Sequence, residues 1–255
     1  MSAIDGATVL VTGATDGHGR GVATELARRG ARVLVHGRDR ARAEATAEAI
    51  GAAGVHLADF ASLAQVRALA EALPPVDVLV NNAGLISRER RMTEDGCELT
   101  LQVNHLAHFL LTLRLLERSA PRRVVNVASA GQARPDFDDL MLERGYEPWR
   151  AYRQSKLAQV AFALELAERR PDVESTALHP ATFMDTKMVR ETVGRAHSTV
   201  QEGVDATVRL AADPDLDVSG RYFEGTREAA ADAFAYDPEA RRRLWDASER
   251  LTRLA

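Results

Sequence analysis

Tyr152 and Lys156 stand four residues apart in Tyr152-Arg153-Gln154-Ser155-Lys156. On a helix that spacing projects both side chains from one face, where they can share one site. Reducing a carbonyl requires a proton donor at oxygen as hydride reaches carbon, and a free tyrosine with pKa near ~10 is a reluctant partner at neutral pH. A nearby ammonium favours the phenolate, so Lys156 is expected to lower the Tyr152 pKa and make it a usable acid and base. Two polar residues precede the pair: Asn104 in Gln102-Val103-Asn104-His105, and Ser129 at the end of Asn126-Val127-Ala128-Ser129.

Hydride chemistry needs a carrier, and the N-terminal region offers a place for one. Thr12-Gly13-Ala14-Thr15-Asp16-Gly17-His18-Gly19 follows an apolar run and opens an amphipathic segment. Gly13, Gly17 and Gly19 let a backbone turn tightly and approach a pyrophosphate, and a helix start there presents free N–H groups. In dinucleotide-binding folds the end of the second strand reads the adenosine ribose, with a carboxylate for NAD or a cation for the 2′-phosphate of NADP. Here the run ends Val35-His36-Gly37-Arg38. Gly37 stands where the carboxylate would be, and the planar fork of Arg38 suits a phosphate. Arg38 can also be read as a surface arginine beside Asp39. Asp59 has two open readings: an acceptor for the adenine amino group, or an N-cap for a helix starting near Ser62.

Short Val- and Leu-rich runs must position these residues: Thr8 to Val11, Arg32 to Val35, Gly54 to Leu57, Asp77 to Val80, Arg123 to Val127 and Val173 to Leu178, with a weaker one at Gly220 to Phe223. Helical segments alternate with them at Gly19 to Arg29, Arg40 to Ile50, Leu63 to Leu73, Gly96 to Arg118 and Trp149 to Arg169. This alternation predicts an α/β fold, a single Rossmann-like doubly wound domain with a parallel sheet of about seven strands. One domain spans residues 1–255, with a substrate lid at approximately 182–200. With 33 Lys and Arg against 37 Asp and Glu, the net charge of −4 gives no overall attraction to nucleic acid. No apolar run approaches the ~18 residues needed for a membrane span. The single cysteine, Cys97, cannot pair within the chain, Met1 to Gly6 lacks the marks of a leader, and a cytoplasmic setting is expected. No metal-binding spacing occurs, and His105 and His108 are read as solvated or interface side chains. The arginines at 241 to 243, 250 and 253 are read as a solvated helix face.

Taken in order, Thr12 to Gly19, Asp59, Asn81-Asn82-Ala83-Gly84, Asn104, Ser129, Tyr152 to Lys156 and His179-Pro180-Ala181-Thr182 resemble the marks of the short-chain dehydrogenase/reductase family. The wording around Asn104, Ala151 to Ala158 and Ser219 to Phe223 is similar to its retinol-dehydrogenase-like branch. The resemblance implies Tyr152 as general acid/base, Ser129 as the group that orients the substrate oxygen, and Lys156 as holder of the nicotinamide ribose. It implies a water-anchoring role for Asn104. NADP(H) is the implied cofactor, held by Gly13, Thr15, Asp16, Gly17, His18, Gly19, Arg38, Asp59, Asn82, Ala83, Gly84, Tyr152, Lys156, Pro180 and Thr182, with Thr186 nearby. The implied reaction is alcohol/carbonyl interconversion on a small molecule; reduction of an activated C=C bond and a non-catalytic NADP(H)-binding sensor are the alternatives. Phe183, Met184, Met188 and Val189 either line an apolar pocket or form a lid's own core. The stretch 130–151, with Phe137, Leu140, Met141, Tyr146 and Trp149, either rims the pocket or packs to the body. The family also implies a homo-oligomer, paired through Gly96 to Arg118 and Trp149 to Arg169. Two departures stand out, His18 for an aliphatic residue and Ala181 for a glycine. His18 is expected to cap the turn or pack beneath the cofactor.

Overall fold

Every apolar run named above forms a strand in the computed structural model, which describes residues 4–119 and 121–254; Met1 to Ala3 lie outside the described residues. The strands are β1 (Thr8–Val11), β2 (Arg32–Gly37), β3 (Gly54–Leu57), β4 (Val78–Asn81), β5 (Arg123–Val127), β6 (Glu174–His179) and β7 (Arg221–Glu224). All seven are parallel, in the order β3-β2-β1-β4-β5-β6-β7. An eighth short strand, β8 (Arg227–Ala229), pairs antiparallel on the β7 edge. Its polar Arg-Glu-Ala sequence gave no apolar signal to find it by.

Successive side chains of a strand point to opposite faces. Leu10, Leu34, Leu79 and Val124 enter one core, with α3 (Leu63–Ala72), α5 (Ala107–Arg118) and α6 (Pro148–Arg169). Val9, Val11, Val33, Val35, Val78, Val80 and Val125 enter the other, with α1 (Gly17–Arg28), α2 (Arg40–Ile50) and α8 (Val200–Ala212). Both faces are therefore covered, which is why the strands read as continuous apolar runs. Strand order reverses between β1 and β4, so the turns that follow them open a crevice at their carboxyl ends.

The segment expected as a helix from Gly96 begins later and is interrupted. Glu98 caps α4 (Leu99–Leu101), its carboxylate accepting from Thr100 N at 2.9 Å and Leu101 N at 2.8 Å. A π-helical turn, Gln102–Leu106, then carries Asn104 and leads into α5.

The C-terminal arginines are not a uniform solvated face. On α9 (Pro238–Thr252), Arg241 is buried, bonding Glu165 Oε2 at 3.0 Å and Glu168. Trp245 stacks edge-on against Phe109 with centroids 5.0 Å apart, and Ser248 Oγ lies 2.8 Å from His105 Nε2. Arg241 is drawn inward because α9 packs over α5 and α6. That packing fills the surface through which the family resemblance implied pairing. We expect light scattering on the chain to give the mass of one copy, 27.8 kDa. A stable dimer with α9 in place would overturn this.

Candidate active site

The glycine turn is fixed by contacts that leave no room for side chains. Gly13 has φ +65°, and a Cβ there would lie 3.0 Å from Ala83 Cα; one on Gly19 would lie 2.3 Å from both Asn82 Nδ2 and Gly13 O. Asn82 ties the turns after β1 and β4 together, Nδ2 donating to Thr12 O at 2.8 Å. Its Oδ1 therefore accepts, and His18 Nδ1 donates to it at 2.8 Å. His18 Nε2 lies 3.1 Å from Thr207 Oγ1 on α8. His18 is thus a buried brace beneath the turn, and burial lowers its pKa.

Asp16 caps α1, accepting from Gly17 N at 2.8 Å, and pairs with Arg42 at 2.6 Å, so its charge is met by a cation from α2. Gly37 abuts Thr15: a Cβ at 37 would sit 2.5 Å from Thr15 Cγ2. Arg38 is exposed and has no hydrogen bond or ion pair among the described residues. Asp59 is not the N-cap; Ser62 holds that position, while Asp59 Oδ1 accepts from Ala61 N at 3.0 Å in a local turn.

One cleft of about 640 Å³ gathers Gly13, Thr15, Asp16, Gly17, His18, Gly19, Arg38, Asp59, Asn82, Ala83, Gly84, Pro180 and Thr182 with Ser129, Tyr152 and Lys156. Asn104 does not line it. Its Oδ1 accepts from Leu85 N at 2.8 Å, its Nδ2 donates to Leu85 O at 3.0 Å and Ser155 Oγ at 2.9 Å, and its carbonyl faces His108 Nδ1 at 2.9 Å. Its side chain thereby braces the turn after β4 against α6.

Lys156 sits beside Tyr152 but makes its hydrogen bonds elsewhere. Its Nζ lies 5.6 Å from the Tyr152 ring centroid and donates to Val127 O at 2.8 Å and Gln159 Oε1 at 2.7 Å. Burial raises the phenol pKa, with the Ser129 hydroxyl pulling the other way, and burial brings Lys156 down to about 7. Desolvation penalises both charged forms, and the ammonium is aimed elsewhere.

Residues 7–196 match the family described as short chain dehydrogenase. The chain is 40% identical to retinol dehydrogenase 14 of Mus musculus, over 96% of this chain and 85% of that protein. This chain is a short-chain dehydrogenase/reductase of the retinol-dehydrogenase-like branch. It is also 40% identical to DnrU of Streptomyces sp. (strain C5), named as a daunorubicin C-13 ketoreductase, over 96% of this chain and 92% of that one. A solved Mycobacterium paratuberculosis protein superposes with TM-score 0.87 at 33% identity, covering 99% of this chain and 96% of its own. The landomycin C-6 ketoreductase LanV, solved with NADP and rabelomycin, superposes with TM-score 0.70 at 25% identity, covering 88% and 96%. Members of the family are oxidoreductases that use NAD(P)(H).

In this short-chain dehydrogenase/reductase, Phe183, Met184, Met188 and Val189 line the cleft, with α7 (Lys187–Thr192) arching beside the glycine turn. A Cβ on Gly17 would meet Thr186 Cγ2 at 3.2 Å. Of Phe137, Leu140, Met141, Tyr146 and Trp149, Trp149 alone lines the cleft. Phe137 stacks on Phe234, Leu140 and Met141 pack on Leu101 and Leu106, and Tyr146 donates to Ser87 O at 2.9 Å. Cys97 is a packed residue whose thiol is pushed up to about 11 by burial. His105 and His108 are buried rather than solvated, because the π turn that carries His105 lies under α6 and α9 and His108 follows it at the start of α5. No helix among the described residues is long and apolar enough to cross a membrane, and no group of acidic, His or Cys residues there suits a metal.

The roles of three residues escaped the sequence reading. Thr12 Oγ1 accepts from Asn82 N at 2.8 Å and Ala83 N at 3.0 Å. His36 Nδ1 accepts from Gly13 N at 3.2 Å while Nε2 faces Ala58 O at 3.2 Å, a pattern that needs a neutral ring. Burial accordingly holds His36 at about 4. The third is Gln159 beside Lys156; its helical i, i+3 spacing was the one available signal.

Proposed function

We propose that this chain is an NADP(H)-dependent oxidoreductase that interconverts an alcohol and a carbonyl on a lipophilic or aromatic small molecule. The observation that carries this reading is the meeting of Ser129, Tyr152 and Lys156 in the cleft that also holds the glycine turn and Arg38. Relatives named as retinol dehydrogenase and ketoreductase support the reaction class.

The residues fit the cofactor. The side-chain-free turn at Gly13 and Gly19 suits a pyrophosphate, and unpaired Arg38 suits a 2′-phosphate. When bound, the dinucleotide supplies or accepts the hydride. Ser129 hydrogen-bonds the substrate oxygen, and Tyr152 gives that oxygen its phenolic proton as the C–H bond forms. In the reverse direction a Tyr152 phenolate takes the hydroxyl proton. Lys156 holds the ribose, while Asn104 braces the loop around Leu85 and anchors a water that relays protons. Pro180 and Thr182 border the nicotinamide end, and 182–200 serves as the substrate lid of a single domain over 1–255. The lone packed Cys97 suits a reducing, cytoplasmic setting.

A panel of ketones, aldehydes and alcohols, followed by NADPH consumption or NADP reduction with product analysis, tests this. Carbonyl reduction with the matching alcohol oxidation is expected. Products reduced only at C=C, or cofactor binding without turnover across an apolar panel, would reject the reading.

A further inference from the structure

Lys156 is buried and, among the described residues, has no carboxylate partner. Two neutral acceptors take its hydrogen bonds instead: the Val127 carbonyl at the end of β5, and Oε1 of Gln159 one turn further along α6. Gln159 is 1% exposed, and its Nε2 lies 3.4 Å from His108 Nδ1. An ammonium has three N–H donors and no lone pair, so it requires the oxygen of Gln159 on its side. Lys156 itself lines the cleft, close to Gly84, where a Cβ would sit 3.6 Å from Nζ.

We propose that Gln159 is a positioning residue which, with the Val127 carbonyl, fixes the Lys156 amine so that its remaining N–H or lone pair faces the cleft. The inference rests on Lys156 belonging to an NADP(H) site. The charged group uses two N–H bonds on the protein and offers the third to the cleft. A neutral amine has two N–H groups, both already accommodated, and offers its lone pair in the same place. A proton can thus be gained or lost at Nζ without moving the side chain. Tyr152 on α6, His108 on α5 and His18 on α1 are the titratable groups around it. Burial shifts the phenol upward and both imidazoles downward, leaving Lys156, at about 7, to titrate between them.

The test measures the dissociation constant of NADPH by fluorescence titration from about pH 5 to 9, with kcat recorded alongside. Wild type should bind tightly at low pH, where the ammonium is present, and lose affinity as pH rises through the Lys156 inflection. Gln159→Glu keeps the shape and places a carboxylate against Nζ, so the inflection should move up by about one pH unit or more. Gln159→Met keeps the length but removes the acceptor. Its inflection should move down, with NADPH binding at neutral pH weakened roughly tenfold. Thermal melts identify folded variants. If both fold and keep the wild-type inflection, Gln159 only packs the helix and the inference fails. A wild-type profile flat across this range also overturns it. Should wild type bind neither NADPH nor NADH, the proposed function falls; if it binds and turns over while the variants match it, only the role of Gln159 falls.

Discussion

Tyr152→Phe should lower kcat for carbonyl reduction roughly 10²- to 10⁴-fold, the range expected when a positioned proton donor is deleted, while NADPH affinity stays as in wild type. The substitution removes one oxygen and leaves the ring, which packs edge-on to Trp149 with centroids 5.8 Å apart, so the cleft wall keeps its shape. The Lys156 contacts to Val127 and Gln159 do not involve the phenol and should survive. The raised phenol pKa adds a directional signature. Below that pKa the phenol is protonated, so carbonyl reduction has its donor throughout the neutral range. Alcohol oxidation needs the phenolate, and its kcat/KM should climb with pH until the raised pKa is passed. Steady-state kinetics in both directions, with NADPH titration of the variant, reads all three expectations. Near-wild-type kcat in a folded variant that binds NADPH would remove Tyr152 from the chemistry.

What could be read from the sequence divides by the range of the interaction. Periodicity and glycine placement report local backbone, and they located the seven parallel strands, the turn at Gly13 to Gly19 and the helical pairing of Tyr152 with Lys156. The desolvation of that pair was not legible, because spacing reveals proximity but not burial, and burial acts against both charges. Long-range bonds were invisible for a similar reason. His36 reaches Gly13 across 23 positions, and Asp16 meets Arg42 across 26. The π turn around Asn104 was hidden because its residues continue an ordinary helical pattern. His105, His108 and Arg241 were assigned to the surface by residue type, yet α9 folds back over α5 and α6 and encloses this region. Each has a partner from an element distant in the chain: Ser248 for His105, Thr12 for His108 and Glu165 for Arg241.

Removing Arg38 should reverse or flatten a cofactor preference rather than abolish turnover. In Arg38→Ala, kcat/KM with NADPH should fall roughly tenfold while the NADH value barely changes. Charge-assisted bonds to phosphate span about 1.5–3 kcal/mol, and solvent screening at an exposed site places Arg38 at the lower end. The structure adds two reasons for NADPH preference. Asp16, which lies near the turn with the wrong sign for phosphate, is neutralised by Arg42 at 2.6 Å. Position 37 cannot accept a carboxylate without moving Thr15, since even a Cβ would approach its Cγ2 to 2.5 Å. Gly37→Asp alone should therefore damage binding of both cofactors instead of producing a clean change to NADH, and pairing it with Thr15→Gly should relieve the clash. The ratio of kcat/KM for NADPH and NADH, measured in wild type and the three variants, separates charge from shape. A wild-type preference for NADH, or an equal loss for both cofactors in Arg38→Ala, would make Arg38 a surface residue and leave the Tyr152 chemistry to stand without it.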